Sequence, residues 1–133
     1  MIVVDTSAWV AALRAQGREA RVLRVLLDAD EVLLPVPVKI ELLSGTSKSQ
    51  RGTLRSGLSG LPIMYPTDDT WRLMDAWTDR AAAAGATFGV GDLLIAALAH
   101  EAGALVWSLD SAFDRLARLR LISLYEPDGT AFA

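Results

Sequence analysis

Apolar residues gather along this chain in five short, nearly unbroken runs: Ile2–Val4, Val32–Val36, Ile63–Tyr65, Leu105–Trp107 and Ile122–Tyr125. None alternates strictly with polar positions, so each reads as a strand covered on both faces, as in a parallel sheet. Helical signals fill the gaps. Thr6–Arg14 and Arg18–Asp28 occupy the first gap, and Pro37 suits the first position of a helix over Pro37–Ser44. Ser47–Leu58 is polar and interrupted by Gly52 and Gly57, which predicts a weak helix or a mobile arm. Thr67, with Asp68 and Asp69 behind it, opens a helix that runs to Ala84 and stops at Gly85. Asp92–Ala102 is apolar almost all round, as a buried central helix would be, and stops at Gly103. A last helix spans Ser111–Arg118. This alternation predicts one α/β domain over residues 1–133: helices on both faces of a short, mostly parallel sheet of about five strands, three layers in all. The tail after Glu126 reads as a frayed end.

Composition narrows the chemistry. Hydrophobic residues make up 52% of the chain, enough for a sizeable core, and exclude global disorder. Thirteen Lys and Arg against 16 Asp and Glu exclude a basic nucleic-acid-coating protein, though not a local basic face. The absence of cysteine excludes disulfides, thiolate zinc sites, iron–sulfur clusters and a cysteine nucleophile, and His100 is the only histidine. Carboxylates remain as the reactive groups. Asp5 breaks the apolar opening as no secretory leader would be broken, and no apolar stretch has membrane-spanning length, so a cytoplasmic location is expected.

Three aspartates share one local setting. Asp5 ends the first strand and opens a helix through Thr6 and Ser7. Asp110 follows the fourth strand and opens the last helix, and Asp92 opens the central helix after the loop ATFGVG. Ligands of open parallel sheets sit at the carboxyl ends of the strands, which would bring Asp5 and Asp110 to one crevice, with Asp92 presented there. Each aspartate is equally readable as a helix N-cap. A cluster of three differs from three separate caps, because gathered carboxylates repel one another unless a cation compensates them. Glu41, between apolar neighbours in KIELLSG, reads from its position alone as a solvent-facing acid on an amphipathic helix.

The stretches MIVVDTSAWV, IELLSG, GVGDLLIAALA and LVWSLDSAF, in that order and spacing, resemble PIN-domain ribonucleases, most of all the VapC toxins of bacterial type II toxin–antitoxin modules. The resemblance extends from the first residue to about Leu124. It implies a PIN fold and an acidic quartet of Asp5, Glu41, Asp92 and Asp110 that is both catalytic and metal-binding, supported by Thr6, Ser7 and Ser108. It implies cleavage of RNA phosphodiesters with Mg2+, for which Mn2+ could substitute, and further a homodimer and a cognate antitoxin that blocks the acidic pocket. Asp5 and Asp92 would anchor the principal ion, with Asp110 and Glu41 completing the pocket or holding a second ion roughly 3.5–4 Å away. Many relatives carry another acid two residues after the fourth, where this chain has Ala112. Asp114, one helical turn beyond Asp110, either substitutes in part or is a surface acid, and a second full metal site hangs on that difference. The surplus of three negative charges over the whole chain is smaller than the four-acid set itself.

RNA contact would fall to basic residues. Arg14, Arg18, Arg21 and Arg24 form one series, and Lys48, Arg51 and Arg55 another; each reads either as a phosphate track or as a solvated face. His100 has no nucleophile elbow to serve and reads as structural. Trp9 and Trp107 read as core, and so by default do Trp71, Met74 and Trp77, with a subunit or antitoxin interface as the alternative for the latter group. A receiver domain fits poorly, with Lys39 and Lys48 as the only lysines. A haloacid-dehalogenase-like phosphatase would want D-x-D where the chain reads Asp5, Thr6, Ser7. The remaining alternative is a catalytically weak PIN-fold module that binds RNA or an antitoxin.

Overall fold

The computed structural model describes residues 1–127; the stretch beyond, where a frayed end is expected, lies outside the described residues apart from Glu126 and Pro127. Strands β1 (Ile2–Val4), β2 (Val32–Pro35), β3 (Ile63–Met64) and β4 (Leu105–Trp107) form one sheet in the order β3-β2-β1-β4, every pair parallel. Ile2 stands between Val32 and Leu105 in register, so β1 lies at the centre. Val3 and Val4 point to opposite faces of the strand and both are fully buried, hence both sheet faces are covered by helices.

The helices are α1 (Thr6–Arg14), α2 (Arg18–Asp28), α3 (Val36–Ser44), α4 (Lys48–Leu58), α5 (Asp68–Ala83), α6 (Val90–Glu101) and α7 (Ser111–Arg118). Helix α6 packs on β2 and β4 and touches α3, α5 and α7. It buries Leu93 and the whole run Ile95–Ala99, as its all-round apolar sequence requires. Helix α5 starts from a reciprocal capping box between Thr67 and Thr70, and Gly85 and Gly103 take positive φ just past the ends of α5 and α6. No helix among the described residues is long and apolar enough to cross a membrane.

Two expectations are corrected and one alternative is decided. The sheet has four strands, because the run Ile122–Tyr125 contributes a single bridge, Val106 to Leu124. Val106 donates to Ser123 O and accepts from Tyr125 N–H, and the next two bonds of this ladder would run from Ser108 N–H to Tyr125 O and from residue 127 to Ser108 O. Residue 127 is proline, with no N–H to give, so the second of these cannot form, and the first is absent among the described residues. Of the weak helix or mobile arm expected over Ser47–Leu58, the structure shows a helix, α4, in spite of its two glycines. Its anchor is Arg51, whose Nε and Nη2 donate to the carbonyls of Leu43 and Thr46 at 3.1 Å each. Finally, α6 begins at Val90 with Gly89 as its N-cap, so Asp92 lies inside the first turn rather than opening it.

The aromatic residues divide. Trp9, Met74, Trp77 and Trp107 are buried, whereas Trp71 is exposed. His100 is structural: Nδ1 lies 3.0 Å from Leu121 O, and the ring meets Trp77 edge-on at 5.4 Å between centroids.

Candidate active site

The site lies where β1 and β4 end. Chain direction explains it: in parallel strands every carboxyl end faces the same edge, and here β1 runs straight into α1 and β4 into α7. Asp5 is the N-cap of α1 and Asp110 that of α7, each in extended backbone, with side chains accepting from Ser7 N–H at 3.4 Å and Ala112 N–H at 2.9 Å respectively. Asp92 enters from α6 and Glu41 from α3, two helices in contact with each other.

Asp5 is the buried member, only 4% exposed. Its Oδ2 accepts from the hydroxyls of Ser7 and Ser108, both at 2.8 Å. Those two hydroxyls are 3.2 Å apart; Ser7 Oγ also accepts Leu109 N–H, and Ser108 Oγ accepts Asp110 N–H. One small network thus holds the first carboxylate and orders the turn leading to the last. Charge-assisted bonds of this kind are what permit a carboxylate to remain buried.

Electrostatics show which acids share a field. Asp92 is half-buried, and its pKa is raised, first by desolvation and then by the charges of Asp110 and Asp5, with Arg115 opposing. Glu41 is raised as well, first by desolvation; Thr6 opposes this, and Asp5 and Asp92 add to it. The residue Glu41 is exposed overall, but its Oε1 lies only 4.0 Å from where a Cβ on Gly91 would stand, beside Asp92. The four acids named from sequence are therefore brought into one field. Thr6 Oγ1 is buried with no hydrogen-bond partner among the described residues, although it is near enough to favour the ionised form of Glu41.

Hard oxygen ligands of this type suit Mg2+ or Mn2+. In the present side-chain positions, no three acidic or imidazole groups among the described residues are gathered closely enough to hold one ion. Mg2+ keeps several of its own waters and is commonly held through one or two carboxylates, so the donor set fits it without such a cage.

The basic residues differ in their surroundings. Arg14, Lys48 and Arg55 are exposed, whereas Arg51 is half-buried on the carbonyls that anchor α4. Arg115 went unnoticed in the sequence. It stands over the Phe88 ring at 5.1 Å, makes no hydrogen bond or ion pair with any described residue, and lies close enough to Asp92 to lower its pKa. Its one sequence signal is being the first base after Asp110.

The PIN domain family matches residues 2–119. The chain is also 39% identical over 125 residues to VapC ribonuclease Mb1587 of Mycobacterium bovis, a match covering 90% of this chain and 93% of that protein. The chain belongs to the PIN-domain family, among the VapC ribonucleases. Solved structures agree on this PIN fold. VapBC2 from Rickettsia felis, bound to a DNA fragment from its promoter, matches with a TM-score of 0.77 at 21% identity, covering 96% of this chain and 100% of that one. VapBC-5 from Mycobacterium tuberculosis, described as a member of a family of toxin–antitoxin systems, matches with a TM-score of 0.69 at 23% identity, covering 94% and 97%. Ala112, where the resemblance leads one to expect a further acid, is buried, and Asp114 lines a cavity with Arg18, Glu19 and Ser108.

Proposed function

We propose that this PIN domain is a Mg2+-dependent endoribonuclease, the toxin of a type II toxin–antitoxin pair, inhibited by a cognate antitoxin. The observation that carries the reading is the shared field of Asp5, Glu41, Asp92 and Asp110 at the strand ends, in a chain 39% identical to a VapC ribonuclease. Solved neighbours that are VapBC complexes support the antitoxin partner. A homodimer and a cytoplasmic setting belong to the same reading.

Asp5 and Asp92 would hold the principal ion, and Asp110 with Glu41 would close the pocket around it. When bound, such an ion lowers the pKa of water and offsets charge on the phosphate oxygens. The protein does the rest. Ser7 and Ser108 fix the direction of the Asp5 carboxylate, so that its unbonded Oδ1 is the atom left for the ion. Glu41 and Asp92 are harder to ionise than ordinary carboxyls while the site is without a cation, and a bound ion would favour their charged forms. Arg115, held over Phe88, reaches for the phosphate from the α7 side, while Arg14, Lys48 and Arg55 meet the RNA strand further out.

The test is turnover with RNA in excess over enzyme. Asp5→Asn and Asp92→Asn should abolish cleavage while far-UV circular dichroism stays native, and EDTA should stop the wild type until Mg2+ or Mn2+ is restored. A folded Asp92→Asn protein that cleaves at the wild-type rate, or activity indifferent to EDTA, overturns the proposal. Stoichiometric RNA binding without turnover would instead identify a binding module.

A further inference from the structure

Beside the end of β4, on the side away from β1, lies a cavity of about 170 Å³. Arg18 and Glu19 from the start of α2 form one wall, Asp114 of α7 another, and the half-buried Tyr125 a third. Ser108 belongs both to this cavity and to the acidic site. Its hydroxyl holds Asp5 at 2.8 Å, while its backbone directly follows Trp107, the last residue of β4.

The edge beyond β4 is open in part for a covalent reason. Along β4, Val106 turns its N–H and C=O outward to Ser123 and Tyr125, so Ser108, two residues on, turns its own pair to the same side. Pro127 stands where the partner segment's next donor would be and has none to offer. Arg18 Nη2 also donates to Pro127 O at 3.1 Å, which ties this segment to α2. Pro127 can donate nothing to Ser108 C=O, and neither that carbonyl nor Ser108 N–H has a hydrogen-bond partner among the described residues. They form a fixed donor–acceptor pair one residue from the catalytic cluster.

We propose that this cavity receives one unpaired nucleobase carrying an exocyclic amino group, adjacent to the phosphate that the acids cleave. This rests on the ribonuclease reading and adds its specificity site. The volume suits a flat heterocycle and not a peptide helix. Glu19 and Asp114 make no hydrogen bond or ion pair with a described residue, so two carboxylates flank the space. They repel a phosphate and attract amino N–H groups. Adenine, cytosine and guanine present such a group beside a ring acceptor, which matches the Ser108 pair together with a carboxylate; uracil turns a carbonyl to the same place. Tyr125 supplies an aromatic wall for the base, the usual means of holding a splayed-out nucleotide.

The experiment has two arms. In the first, a randomised single-stranded RNA pool is cleaved briefly with Mg2+ present and the cut ends are sequenced. Wild type should enrich one amino-bearing base at a fixed position adjoining the cut. Glu19→Gln and Asp114→Asn should lower that enrichment by about fivefold or more while total cleavage is retained. Enrichment of uracil there, or the same preference in wild type and both variants, overturns the proposal. In the second arm, backbone amide spectra are recorded with Mg2+ and millimolar AMP, CMP, GMP or UMP. Shifts at Ser108, Leu109 and Tyr125 are expected with the first three nucleotides and weakened in Glu19→Gln. No shift with any of them overturns the cavity assignment, as do shifts seen only when a protein partner is added. Because this arm needs no cleavage, shifts in a protein that cuts no RNA would retire the ribonuclease reading and keep the base site.

Discussion

Replacing Ser108 with alanine removes one hydroxyl and two hydrogen bonds. The hydroxyl donates to Asp5 Oδ2 at 2.8 Å and accepts Asp110 N–H at 3.0 Å. Asp5 is 4% exposed, so water cannot readily take over the lost donor, whereas Asp110 lies at the surface and its N–H can be hydrated. A hydrogen bond to a charged group contributes ~1.5–3 kcal/mol and a replaceable neutral one much less, which sets the expected loss of unfolding free energy at ~2–3 kcal/mol. In a domain of this length that lowers Tm by ~10 °C. The measurement is urea unfolding followed by tryptophan fluorescence, repeated in an Asp5→Asn background. Asparagine keeps a neutral acceptor, so the same serine substitution should there cost ~1 kcal/mol, leaving a coupling energy of ~1–2 kcal/mol between the two positions. Cleavage by Ser108→Ala should also fall ~10–100-fold, as is usual when the partner that orients a ligand is lost. A cost below ~0.5 kcal/mol, or the same cost in both backgrounds, would refute the view that Ser108 acts by holding the Asp5 carboxylate.

The raised pKa of Glu41 gives a pH signature in the metal-free protein. Its carboxyl binds protons more tightly folded than unfolded, so its destabilising effect is absent below the ordinary carboxylate range and develops as pH rises through the raised folded value. Glu41→Gln should therefore match wild type in stability at low pH, gain on it across that window and then hold a constant lead that added Mg2+ removes; a lead that shrinks with rising pH contradicts the account. Arg51 and Arg55 should separate cleanly. Arg51→Ala should lose ~1–3 kcal/mol of stability, because two donors leave the carbonyls that anchor α4. Arg55→Ala should leave stability unchanged and reduce the salt slope of RNA binding by ~1, and identical slopes for Arg55→Ala and wild type would remove it from the RNA path.

What the sequence made legible follows from where the governing interactions lie. The limits of β1, β4, α1, α2 and α7 match the expected ones because local residues set them: an apolar run ends at an aspartate that caps the next helix, as at Asp5 and Asp110. The fifth run makes a single bridge, Val106 to Leu124, and Pro127 removes one of the bonds that could have extended it, a matter of registry with Val106 rather than of its own hydrophobicity. Glu41 was silent to periodicity and was reached only through family likeness; its membership of the site depends on α3 meeting α6, a tertiary contact. Arg51 was readable only as part of a basic series, since the carbonyls it binds are turned toward it by the bend between α3 and α4.

The two meanings weighed for the aspartates, helix cap and metal ligand, do not compete in this fold. Asp5 and Asp110 cap α1 and α7 through hydrogen bonds to Ser7 N–H and Ala112 N–H, and Asp92 lies in the first turn of α6. Three helix N-termini therefore surround the acidic cluster, each presenting unpaired N–H groups and partial positive charge to a carboxylate. This offsets some of the mutual repulsion without supplying the full positive charge of a cation, and Glu41, which lies in the last turns of α3, receives no such help. The residual strain is visible where this reasoning places it. Asp5, with two serine hydroxyls in addition to its helix, can stay buried, while Asp92 and Glu41 remain harder to ionise than ordinary carboxyls. A site that needs its acids charged but holds them only partly compensated is one whose deficit a divalent ion makes up. Helix capping is thus the means by which this sheet edge keeps four carboxylates together, as the proposed metal site requires.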